Sequence, residues 1–126
     1  MTNTLTKENR LDIVNQLIKH ISENGGHFLS KKGDVAFMKL KNGRIYFVDD
    51  YTKKEIAVID NGYEWRGFSH GGTFRALVLD FATFIRTGKE SNGKHGYGGL
   101  HATGWGHSPE VQKDMIDYAV KIGYLS

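Results

Sequence analysis

Between Gly88 and Gly106, nineteen residues hold seven glycines (88, 93, 96, 98, 99, 104 and 106), three of the six histidines (His95, His101, His107), Tyr97 and Trp105. Long loops without regular structure are uncommon in small domains and are usually functional, and aromatic and histidine content sets this one apart from a Gly/Ser linker. Imidazoles suit zinc, copper or nickel, or the acid and base of phosphodiester cleavage. The histidines, however, stand six residues apart, a spacing that matches no metal-binding pattern, and no His-Glu-x-x-His helix is present. No metal ligand and no catalytic residue is assigned on this basis. Asn92, His95, Tyr97 and Trp105 instead offer flat surfaces and amide groups, the chemistry that stacks on bases and reads their edges. The Gly104-Trp105-Gly106 step leaves the indole free to reach outward; the competing role for Trp105 is a plug beneath a surface loop.

A second group is Ser69-His70-Gly71-Gly72-Thr73, a glycine pair between a strand and a helix. Backbone N–H groups at a helix start attract anions, and His70 and Thr73 can add donors. The segment lacks the lysine and spacing of a phosphate-binding loop and is equally readable as a tight turn with a threonine cap. Arg75 and Arg86 follow on one helix face, roughly 16 Å apart along the axis, so each would serve a different group of an extended anionic ligand. Their bland alternative is a solvated face, with Arg86 favoured by the helix dipole. Asp49-Asp50 and Asp60 read as turn-forming acids rather than ligands of a hard cation.

The elements that must carry these groups are legible from periodicity. Thr6 is placed to cap a helix over 7–23 whose Leu11, Val14, Leu17, Ile18 and Ile21 follow helical spacing, with Gly25-Gly26 as its stop. Five runs rich in β-branched and aromatic residues follow, at 27–30, 35–40, 45–50, 55–60 and 63–68. The Asn42-Gly43 and Asn61-Gly62 turns between runs predict an antiparallel meander. A second helix starts at Thr73, buries Phe74, Leu77, Val78, Phe81, Phe84 and Ile85, and ends at Gly88. Ser108-Pro109-Glu110 opens a third, with Val111, Met115, Tyr118, Ala119 and Ile122 as its stripe and Gly123 as its end. The expectation is a single α+β domain over 1–126: an N-terminal helix, a five-stranded antiparallel meander, and two C-terminal helices joined by a glycine-rich loop.

The leading helix, the small meander, and the segments GFSHGGTFRALVLDFATFIRTGKESN and GWGHSPEVQKDMIDYAVKIGYL together resemble the first-described Thoeris anti-defence family carried by bacteriophages. That resemblance implies a sponge, which sequesters a cyclic ADP-ribose-type signal without cleaving it, in a site between subunits. It also implies an aromatic and an asparagine after the long helix on the ligand, positions matched by Phe84 and Asn92, with arginines on the phosphates. No arginine follows Arg86, so the family's C-terminal arginine has no counterpart, and Arg66, Arg75, Arg86 or Lys94 would stand in.

Composition sets the remaining bounds. With 126 residues, 39% of them hydrophobic, the chain is long enough to bury a core without staples, and the absence of cysteine excludes thiol catalysis and thiolate metal sites. No apolar run reaches the roughly 18 residues of a membrane span, and the start lacks a basic-then-apolar leader, which suggests a cytoplasmic protein. A net charge of +3 suits a small anion better than duplex nucleic acid. The reading is a homo-oligomer, without cofactor, that holds a small anionic nucleotide at His70, Gly71, Gly72, Thr73, Arg75, Phe84, Arg86, Asn92, His95 and Trp105. The alternatives are a histidine-dependent phosphodiesterase or nuclease, and a protein-binding inhibitor of a host defence complex.

Overall fold

The computed structural model describes residues 6–25, 28–29, 32–58, 72–96, 98–101 and 108–125. Helix α1 (Lys7–Gly25) leads into strands β1 (Phe37–Lys41), β2 (Arg44–Val48) and β3 (Glu55–Ala57), followed by α2 (Gly72–Thr87), a single 3₁₀ turn at Gly99–His101, and α3 (Pro109–Ile122). Thr6 caps α1 as expected: its Oγ1 accepts the Asn9 N–H at 3.0 Å, and its own N–H donates back to Asn9 Oδ1 at 3.3 Å. The pair satisfies two donors at the helix start. Val14, Leu17, Ile18 and Ile21 are fully buried on the inner face.

The five-stranded meander is not what forms. Among the described residues there is one three-stranded antiparallel sheet, in the order β1-β2-β3. The run 27–30 supplies only an isolated bridge, Leu29 to Val35, because Phe28 takes a left-handed φ of 64° that breaks an extended chain. The run 63–68 and the Asn61-Gly62 turn lie outside the described residues. The hairpin at Asn42-Gly43 does form as its sequence predicts. Lys41 pairs with Arg44, and Asn42 and Gly43 carry φ of 53° and 77°, the positive pair that a two-residue primed turn requires. After β2 the chain turns at once, since Asp49 Oδ2 accepts the Tyr51 and Thr52 N–H groups at 3.0 and 2.9 Å; this ends the strand at Val48.

β1 lies at a sheet edge, and α1 covers it. The Asn15 side chain acts as a substitute strand: its Oδ1 accepts the Met38 N–H at 2.6 Å and its Nδ2 donates to the Met38 carbonyl at 3.0 Å. Edge groups that would otherwise stay unpaired are thereby satisfied.

α2 is the centre of the molecule. The predicted stripe of Phe74, Leu77, Val78, Phe81, Phe84 and Ile85 is buried, but so are Ala76, Leu79 and Ala82 on the face expected to meet solvent. A helix apolar all round belongs in a core. Its end is held by Arg10, whose Nε donates to the Ile85 carbonyl at 2.8 Å. α3 begins with Ser108 accepting the Val111 N–H and ends at Gly123 with φ 95°, as its sequence predicts. It is tied to α1 by His20 and Asp114, 2.7 Å apart, with the His20 ring stacked on Tyr118 at 3.9 Å. Beyond α3, Tyr124 turns back into the core, 1% exposed, with its hydroxyl donating to the Ser91 carbonyl at 2.7 Å. No helix among the described residues is long and apolar enough to cross a membrane.

Two outcomes follow from these contacts. Asn15→Ala leaves the Met38 N–H and carbonyl partly buried without partners, a loss of about 1–3 kcal/mol; thermal melting should show a Tm lower by several degrees, and an unchanged Tm would remove Asn15 from the sheet's support. Burial first, then the charges of Asp80 and Glu90, hold the Tyr124 phenol well above its ordinary 10.0. The unfolded chain therefore releases this proton first, and stability falls as pH climbs above about 10. Melting curves between about pH 9 and about pH 11.5 should show that decline, and Tyr124→Phe should flatten it. The same substitution should lower stability at neutral pH by about 1 kcal/mol through the lost hydrogen bond.

Candidate functional site

The glycine loop is built around one buried acid. Asp80 is the only charged residue in the stretch Ala76–Ile85, and the packing of α2 leaves it 0% exposed. An isolated carboxylate there would be costly, so it must be given donors. Three come from the segment after the helix: Ser91 Oγ–H at 3.2 Å, the Gly93 N–H at 2.9 Å and His95 Nδ1–H at 2.9 Å. With Nδ1 committed to the carboxylate, the His95 ring is fixed in orientation and only 15% of its side chain is exposed.

A second tie closes the loop. Asn92 Oδ1 accepts the Leu100 N–H at 2.7 Å, and Gln112 of α3 donates to the Leu100 carbonyl at 3.3 Å. Leu100 itself is fully buried. This closure requires Gly99, which sits at φ 58°, and whose absent Cβ would collide with Asn92 Oδ1 and the Gly93 nitrogen. Gly93, at φ 86°, packs its bare Cα against Gly98. These glycines, read from sequence as free for a ligand, have structural work: they let two backbone segments touch. The exposed side of the folded loop is an open depression of about 430 Å³ lined by Glu90, Ser91, Asn92, Gly93, Lys94 and His101.

The predicted site residues therefore divide. Asn92 and His95 share the loop, although Asn92 uses its carbonyl on Leu100 and His95 its Nδ1 on Asp80. Phe84 is 3% exposed, its ring edge-on to Tyr124 at 5.0 Å. Gly72 and Thr73 open α2, and Arg75 is half-buried one turn in. Arg86 stands at the other end of the helix, exposed, and borders a different cleft of about 300 Å³ with Lys7, Gly43, Arg44, Ile45, Ala57 and Val58. His70, Gly71 and Trp105 lie outside the described residues, as do Tyr97 and His107.

Two features escaped the sequence reading. Asp80 had a signal, a lone acid inside an apolar helix run, which marks a position needing internal partners. The meeting of Lys7 and Arg44 with Arg86 had none, because it joins a helix start, a hairpin and a helix end that are remote in sequence. Among the described residues, no group of three or more histidines and acids is placed to hold a metal ion.

Comparison with known proteins places the chain. Over 83 residues it is 37% identical to the SPbeta prophage-derived protein YoqU of Bacillus subtilis (strain 168), a match that covers 64% of this chain and 60% of the relative's length. No solved structure matches it. The model of the YoqU family matches residues 4–126, and with nearly every residue inside that match, the chain belongs to the YoqU family.

Proposed function

We propose that this chain is a phage-encoded capture protein that binds a small anionic nucleotide, of the cyclic ADP-ribose or cyclic oligonucleotide type, and holds it intact. The observation that carries this reading is the pre-organised loop. Asp80, Asn92 and the close glycine contacts set residues 91–96 and 98–101 in place before any ligand arrives, so little ordering entropy opposes binding there. The depression offers what a nucleotide needs: the Lys94 ammonium for a phosphate, the His101 ring as a flat polar surface, and the Asn92 amide nitrogen for edges and ribose. The prophage origin of a relative supports a role in the encounter between phage and host, and the basic balance of the chain suits an anion.

One observation favours the hydrolytic alternative. A buried carboxylate that orients an imidazole through Nδ1, as Asp80 does for His95, is also how a general base is positioned. The two readings separate in a single experiment. The purified protein is incubated with cyclic ADP-ribose isomers and cyclic dinucleotides, washed and denatured, and the released molecules are weighed by mass spectrometry. Capture predicts stoichiometric recovery of one intact species; a linear product accumulating beyond stoichiometry establishes hydrolysis instead, and no retention rejects nucleotide binding at this loop. Lys94→Ala and His101→Ala should each weaken retention about tenfold, the scale of a lost hydrogen bond to a charged group. Both side chains are exposed, and the Tm should stay within about a degree of the parent's.

A further inference from the structure

The cleft that Arg86 borders is the least expected feature of the surface. Three cations converge on it from separate elements: Lys7 from the first turn of α1, Arg44 from the first position of β2, and Arg86 from the last turn of α2. Among the described residues, no carboxylate lines it. Among the described residues, none of the three side chains has an ion-pair or hydrogen-bond partner. Several other surface lysines do have an acid partner: Lys39 and Lys41 share Glu55, Lys53 meets Asp34, and Lys113 meets Asp117. Three like charges facing one concavity repel one another unless a counter-charge joins them, and Lys7 carries its charge where the α1 dipole disfavours it. A local choice that costs stability without a compensating contact points to function.

We infer that Lys7, Arg44 and Arg86 form a recognition site for a phosphate ester or diphosphate. Its charges, size, lining and clustering select this class. Guanidinium forks match phosphate oxygens in pairs while the ammonium adds a mobile point charge, so the set suits an anion of two or more charges. The volume of about 300 Å³ is at the small end of ligand pockets and exceeds what a bare phosphate fills, leaving room for an attached group. Ile45, Ala57 and Val58, which also line the cleft, offer that group apolar contact. The cations are gathered in one cleft rather than strung along a face, which selects a small ligand over a nucleic acid backbone. The site does not depend on nucleotide capture by the loop at 91–101, which draws on other residues.

The test is isothermal titration of the full chain with pyrophosphate, ADP and adenosine at low and high salt, using Arg44→Ala, Arg86→Ala and Lys121→Ala. The expected result is binding of pyrophosphate and ADP, no measurable binding of adenosine, and affinity that falls as salt rises. Arg44→Ala and Arg86→Ala should each weaken ADP about tenfold or more, while Arg86→Lys recovers part of the loss and Lys121→Ala, on the exposed face of α3, changes nothing. The three substituted side chains are exposed, so melting curves should coincide with the parent's. The inference is overturned if neither pyrophosphate nor ADP binds, if adenosine binds as well as ADP, or if both arginine variants keep the parent affinity. An equal loss in Lys121→Ala would make the binding a general effect of surface charge and likewise overturn it. Failure of intact-nucleotide recovery would leave these titrations standing, because that experiment is answered by Lys94 and His101.

Discussion

A carboxylate sealed from water in the middle of the central helix dictates the second half of this fold. Asp80 is enclosed because α2 is apolar on every side, and an enclosed charge is tolerated only with donors on its oxygens. The chain supplies them by wrapping residues 91–95 back over the helix it has just left. Ser91 thereby presents its carbonyl to Tyr124, so the C-terminal turn is placed by the same acid. Asn92, held between the anchored Ser91 and Gly93, is in position to take the Leu100 N–H. Leu100 then fills the space between α2 and α3. Each step is a local hydrogen bond, yet the sequence of steps passes from α2 to the chain's end.

What the sequence made legible was whatever local chemistry decides. Thr6, Ser108 and Gly123 act at helix ends through atoms within a few residues of themselves, and each does what its type implies. Asn42-Gly43 likewise needs only its own dihedral preferences to make the first hairpin. The meander was over-read for the converse reason. A run of β-branched and aromatic residues fits a half-buried surface, but it becomes a strand only where a partner and an unbroken extended backbone exist. At 27–30, Phe28 takes a left-handed conformation and its side chain goes to the core, edge-on to Phe74 at 5.1 Å. Phe28 therefore marked burial, and Leu29 carries the pairing no further than its single bridge to Val35.

The glycines show the same division from the opposite side. Their density marked the right segment, while the reason lay in contacts that spacing cannot reveal. Gly93 and Gly99 are small because the backbone at 92–93 meets the backbone at 98–99, and that approach exists only because Asp80 draws one side of the loop down. A glycine-rich sequence is usually taken as freedom. Here it is what permits a tightly tied loop, with side chains anchored inward and a polar face turned outward.

The arginines complete the argument about what a helix face can say. Arg75 and Arg86 share a face of α2 by periodicity, which invited reading them together. The burial of Leu79 and Ala82 between them shows that this face is not one surface but two ends, half-buried at Arg75 and exposed at Arg86, separated by core. Arg86 therefore takes its neighbours from other elements, Lys7 and Arg44, and the relevant grouping is spatial. The net charge of +3 is similarly uninformative as a sum: Glu55, Asp34 and Asp117 answer nearby lysines of the strands, turn and third helix, while no acid among the described residues lines the cleft at Arg86. A small excess of positive charge becomes chemically specific where three of its carriers line one concavity.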